Sequence, residues 1–144
     1  MKILHIITCA CLSSSLSVAA QTPVGVWLTY DDETGEQKSQ IEVYEQNNKL
    51  FGKIVHLSRA SLNHDCDKCE GERKDKPILG MVVIENMTLR DGFWQDGRVL
   101  FPRRGKWYGC QFWLAENDPD ILVVKGNWGP FYRTQQWKRK KCKT

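Results

Sequence analysis

Residues 106–114 read KWYGCQFWL, and the way their side chains divide decides the fold. Successive side chains of an extended strand point to opposite faces. Tyr108, Cys110, Phe112 and Leu114 therefore share one face, and Trp107, Gln111 and Trp113 share the other. Aromatics on both faces suit a closed barrel whose interior is filled with side chains, and closure also removes the edge strands that invite aggregation.

Working outward, residues 121–125 and 131–139 read as the next strands, separated by turn-forming residues at 117–120 and 126–130. Upstream, Pro102 to Gly105 is a turn, and Asp91-Gly92 and Asp96-Gly97 are turn dipeptides. Short strands are thus predicted around 88–94 and 98–101, after an apolar one at 78–84. Residues 24–30 read as the first strand and 31–35 as a turn. Residues 40–45 alternate, with Ile41 and Val43 on one face, and Asn47-Asn48 marks a tight hairpin into 49–57. After residue 20 no stretch keeps a helical apolar period. Eight or nine short strands at this spacing predict an all-β, antiparallel barrel or sandwich.

The exception is 58–77, a polar and charged stretch holding the chain's one Cys-x-x-Cys, Cys66 to Cys69. A loop of this length is uncommon in a compact domain and is usually functional or disordered.

The first twenty residues read as an export signal. Lys2 gives a positive start, residues 3–16 are mostly apolar, and Val18-Ala19-Ala20 supplies the small side chains that a signal peptidase reads, placing the cut after Ala20. Lipidation at Cys9 or Cys11 fits less well, since Ile7-Thr8 lacks the small-residue pattern. The remaining 21–144 is sized for a single domain, periplasmic or secreted, with no apolar run long enough for a transmembrane span. The formal charge of +4 falls to +3 without Lys2. That balance is too mild to point to nucleic acid. The basic residues gather in a tail at 138–144, read as a solvated terminus, with attraction to anionic envelope surfaces as the sharper alternative.

Once the signal is removed, Cys66, Cys69, Cys110 and Cys142 remain. An even count in an oxidising compartment favours two disulfides, and four cysteines allow three pairings. Closeness in sequence favours Cys66 with Cys69, leaving Cys110 with Cys142. The small ring would contribute about 2 kcal/mol and the large one about 3–4 kcal/mol. Two chemical alternatives concern the same loop. Thiol exchange needs a low-pKa thiolate, usually at a helix N-terminus; Lys68, Arg73, Lys74 and Lys76 favour one, but Asp65, Asp67, Glu70 and Glu72 oppose it, and no helical pattern follows. A zinc site would draw on His64, Cys66 and Cys69, with Asp65 or His56, yet one Cys-x-x-Cys supplies only two of the four ligands a structural site requires.

Elsewhere catalytic patterns are thin. No nucleophile elbow, phosphate loop or zinc-protease helix occurs, and Asp31, Asp32, Asp91 and Asp96 lie in turns. No cofactor is expected.

Taken in order, Gly25-Val26-Trp27, Leu50-Phe51-Gly52-Lys53-Ile54, Cys66-Asp67-Lys68-Cys69-Glu70-Gly71, Lys76-Pro77-Ile78-Leu79-Gly80, Trp94-Gln95-Asp96-Gly97, Gly105-Lys106-Trp107-Tyr108 and Thr134-Gln135-Gln136-Trp137-Lys138-Arg139 resemble a bacterial exported family, domain of unknown function 2147. Phe101 before Pro102 and Lys125 before Gly126 depart from its pattern. The resemblance implies an up-and-down, lipocalin-like barrel of the calycin type, in which Trp27 plugs the closed end beneath a basic side chain of the last strand, Arg139 or else Arg133. It implies no activity. The combined expectation is a monomeric, non-enzymatic barrel binding a small apolar or amphipathic ligand, or an envelope component, with Tyr108, Phe112 and Leu114 lining the interior.

Overall fold

The computed structural model describes residues 21–59 and 64–141. Eight strands follow one another round a closed antiparallel barrel: β1 (Gly25–Tyr30), β2 (Gln37–Gln46), β3 (Lys49–Leu57), β4 (Val82–Arg90), β5 (Phe93–Phe101), β6 (Lys106–Ala115), β7 (Asp118–Trp128) and β8 (Phe131–Arg139). Every neighbour in space is a neighbour in sequence, and β1 closes on β8. The expected up-and-down barrel is therefore the fold.

The alternation read from β6 sets the interior. Cys110 and Phe112 are buried, and their partners across β6–β7 are Gly126 and Val124. Trp27, Ile41, Val43, Leu50, Ile54, Ile84, Met87, Leu122 and Trp137 complete the inner core. Asn47 and Asn48 both have positive φ, as a two-residue hairpin compatible with strand twist requires.

Several boundaries differ from expectation. Residues 118–120, expected in a turn, open β7, and the strand expected at 88–94 is divided by Asp91-Gly92 between β4 and β5. The apolar residues 78–81 belong to the connection, and β4 begins at Val82. Its consecutive buried residues Val83 and Ile84 coincide with a register slip against β3, which takes up an extra residue. Asp96-Gly97 is not a turn but an irregularity inside β5: Asp96 has φ 65°, and the register shifts between Trp94 and Gly97. The missing side chain of Gly97 admits the Glu85 carbonyl and the Met87 sulfur. Residues 126–128, expected as loop, extend β7, because their partners 131–133 continue the ladder.

The long connection has a structure of its own. Asp65 bridges Pro77, the Cys66 amide donates to Lys76 O, and the Ile78 amide donates to His64 O, forming a small clip. Within it Cys66 and Cys69 form a disulfide, and a short 3₁₀ turn, Gly71–Arg73, follows. The clip lies against the outer wall. Leu100 faces outward with Trp107 yet is only 3% exposed, so something must cover it. The Cys66 sulfur lies 3.5 Å from Pro102 O, and Gly105 has φ +64° with Lys68 O where a Cβ would be. Arg73 and Glu85 pin the clip further: Arg73 reaches Glu85 at 2.7 Å, Arg98 reaches it at 2.9 Å, and both guanidinium groups stack on Trp107.

Candidate functional site: the cavity at the open end

The two ends of the barrel are built differently. At the end where β1 starts and β8 finishes, Trp27 is fully buried and its indole N–H donates to Pro23 O at 2.8 Å. The Arg139 guanidinium sits 4.3 Å from the centre of that ring. It also donates to Val24 O, Thr22 O and Pro119 O, and pairs with Asp120 at 3.2 Å. Gly25 is needed here twice over, since its φ is +142° and a Cβ would stand 2.8 Å from an Arg139 nitrogen. Arg139 therefore occupies the place expected of it. Arg133 lies at the other end, paired with Asp32.

That other end holds a cavity of about 160 Å³. Its wall combines Ile41, Ile54, Leu57, Val83, Val99, Phe101 and Trp137 with the polar side chains Thr29, Ser39 and Gln135. Ile78 borders it from the long connection, and Lys38 and Arg103 border it from the strand ends. The wall's polar groups are already committed to one another. Thr29 and Ser39 share a hydroxyl hydrogen bond of 2.7 Å, the Trp137 N–H donates to Gln135 Oε1 at 3.1 Å, and Gln135 donates to Asp32 at 2.8 Å. At the rim Asp31 accepts from Lys38 at 2.8 Å and from the amides of Thr34 and Glu33. The Lys38 hydrogen bond, then those two amides, hold the Asp31 carboxyl well below the usual carboxylate range.

None of the residues expected to receive a ligand lines the cavity. Phe112 is fully buried, Leu114 is half-buried, and neither lines the cavity. Tyr108 is not part of the lining either; it packs edge-on against Phe101, which is. Thr29, Ser39, Gln135 and Trp137 were not read from the sequence as lining residues. Extending the alternation of Ile41 back to Ser39, and that of Trp137 back to Gln135, is the signal that marks them.

The cysteines separate into two cases. Cys66 and Cys69 are buried and joined, as the local clamp expects. Cys110 is a free, buried thiol, and burial pushes its pKa up to about 12; its expected partner Cys142 lies outside the described residues. The zinc alternative draws on His64, Cys66 and Cys69. His64 is exposed, the two cysteines are joined to each other, and among the described residues no three His, Cys, Asp or Glu side chains gather as metal ligands. The basic tail is less free than expected over 138–141. Lys138 lies over the Tyr30 ring, Lys140 reaches Gln40, and Lys141 pairs with Asp120. The export signal, with Cys9 and Cys11, also lies outside the described residues. No helix among the described residues is long and apolar enough to cross a membrane.

Comparison with known proteins agrees with this architecture. A solved structure described as protein HP1028 from the human pathogen Helicobacter pylori, belonging to the lipocalin family, superposes with a TM-score of 0.69 over 82% of each chain at 18% identity. That likeness establishes the shared barrel. No curated protein matches. Residues 25–139, from the glycine beside Arg139 to Arg139 itself, match the model of a family described as an uncharacterised protein conserved in bacteria, DUF2147. The chain belongs to the DUF2147 family.

Proposed function

We propose that the barrel is a binding protein for a small apolar or amphipathic molecule, held in the open-end cavity with its polar part towards Lys38 and Arg103. The observation that carries this reading is the cavity wall, which is mostly aliphatic and aromatic and whose polar side chains are already hydrogen-bonded within the protein. A polar ligand would have to break those bonds, whereas an apolar group would only displace water. A dry apolar cavity of about 150 Å³ accommodates a benzene-sized molecule. The 160 Å³ here fits one ring or a short alkyl tail, and anything longer must extend through the mouth.

Export belongs to the same proposal. A disulfide between Cys66 and Cys69 fits an oxidising compartment, and cleavage after Ala20 would deliver residues 21–144 as a monomer to the periplasm or medium.

Native mass spectrometry of the protein purified from its own cells tests the binding reading. The expected result is one small molecule per chain, absent from Val99→Phe, where the added ring fills the cavity. An empty wild-type protein that also takes up no alkyl or aromatic probe would contradict it.

A further inference from the structure

The cavity accounts for the inside of the open end but not for its rim. There the β7–β8 hairpin carries Phe131 and Tyr132, each 66% exposed, the most exposed large hydrophobic residues among those described. Single exposed apolar side chains need no explanation. These two adjoin a continuous aromatic strip: Trp128 is the cross-strand partner of Phe131, its ring lies 5.5 Å from Tyr108, and Tyr108 lies 5.3 Å from the cavity residue Phe101.

The β5–β8 side of the rim is also basic, whereas the adjoining β1–β2 loop carries Asp31, Asp32, Glu33 and Glu36. Arg103 and Arg104 come from the β5–β6 turn, Lys106 from the start of β6, and Lys125 and Arg133 from β7 and β8; no Asp or Glu occurs at 97–115 or 121–144. Asp31 and Asp32, on the adjoining β1–β2 loop, pair with Arg103 and Arg133. Among the described residues no other carboxylate, including those of the 64–77 clip, forms an ion pair with this rim. Arg104 instead faces the Trp128 ring at 5.9 Å, and Lys125 faces the Tyr132 ring at 4.3 Å. Cations and rings therefore stand at the same height.

We propose that this rim docks on an anionic lipid bilayer, with Phe131, Tyr132 and Trp128 entering the headgroup layer while Arg104, Lys106 and Lys125 meet lipid phosphates. Amphipathic aromatics settle at headgroup depth, and Lys and Arg beside them are drawn to anionic lipid. A protein partner would need a matching acidic, ring-accepting pocket, whereas a bilayer supplies both chemistries without one. Docking this way sets the cavity mouth against the membrane. The proposal goes beyond ligand binding and stands whether or not the cavity is loaded.

Flotation of the purified protein with vesicles of phosphatidylcholine alone, or mixed with phosphatidylglycerol, tests it. Binding is expected to the mixed vesicles and to weaken as salt is raised. Two double variants, Phe131→Ser with Tyr132→Ser and Arg104→Glu with Lys125→Glu, should each lower partitioning about tenfold or more. Melts should match the parent for Phe131→Ser with Tyr132→Ser, where both side chains are exposed. Lys125 is half-buried, so the exposed Arg104→Glu alone repeats the charge test. Failure of the parent to float with anionic vesicles overturns the proposal. So does flotation that both double variants leave intact, as attachment through the basic tail would give. Sedimentation velocity showing a dimer that Phe131→Ser with Tyr132→Ser dissolves, without vesicle binding, overturns it in favour of a second copy.

Discussion

Arg139 shows how much one side chain can hold. Its guanidinium covers Trp27, caps three backbone carbonyls and pairs with Asp120, so it ties the chain before β1, the start of β7 and the end of β8 together. A charged hydrogen bond contributes about 1.5–3 kcal/mol and a cation–π contact about 0.5–2 kcal/mol. Arg139→Ala is therefore expected to lower stability by about 3 kcal/mol in urea unfolding, and Arg139→Lys to recover only part of it, because an ammonium cannot fork to several carbonyls. Cys110 offers a second test at this scale. Its thiol has an ordinary value of 9.0 and is pushed up to about 12 by burial, so the folded state keeps a proton that the unfolded state gives up. That contribution to stability is full below about pH 9 and is lost progressively as the pH rises from about 9 to about 12. Native protein should resist maleimide at Cys110 and denatured, unreduced protein should react at once. Denatured protein that stays unlabelled at Cys110 would show that this cysteine is bonded after all.

Among the elements, β3 and β8 were legible in the sequence to the residue, with turn residues setting where each starts: Asn47-Asn48 before β3 and Gly129-Pro130 before β8. The irregular places were not. Asp96-Gly97 has the chemistry of a turn, and the same left-handed backbone serves an in-strand irregularity; only the partners Glu85 and Met87 distinguish the two. The face that builds the cavity was half legible. Alternation identified the interior through Tyr108, Phe112 and Leu114, but which part of an interior is left unfilled depends on packing among all eight strands. The clip at 64–78 was recognised as exceptional, yet its docking on the wall left no periodic trace. That docking predicts the effect of Gly105→Ala. The added methyl collides with Lys68 O at a backbone angle that suits glycine, so the clip should lift off. Hydrogen exchange at the Cys66 and Asp75 amides, both bonded within the clip, should accelerate while amides of β2 stay protected. Unchanged exchange at those two amides would show that the clip does not depend on this contact.

For the molecule as a whole, the position of the cavity follows from how the barrel closes. β1 and β8 are paired only at Trp27 with Arg139 and at Leu28 with Lys138, both in the closed half. Beyond Leu28 the seam is bridged by side chains, with Asp32 receiving Arg133 and Gln135. The strands part there, and Thr29, Gln135 and Trp137 border the space that results. One end is thus sealed by an aromatic ring and a guanidinium, and the other is left with an apolar hollow behind a basic, aromatic rim. The central claim is that this hollow receives an apolar group. Its most direct test is methyl and indole NMR during titration with an alkyl or aromatic probe small enough for about 160 Å³. Saturable shifts confined to the methyls of Ile41, Ile54, Val83 and Val99 and to the Trp137 indole are the predicted result. Shifts that leave these groups still while the amides around Cys66 and Cys69 move would place the site on the clip and contradict the account.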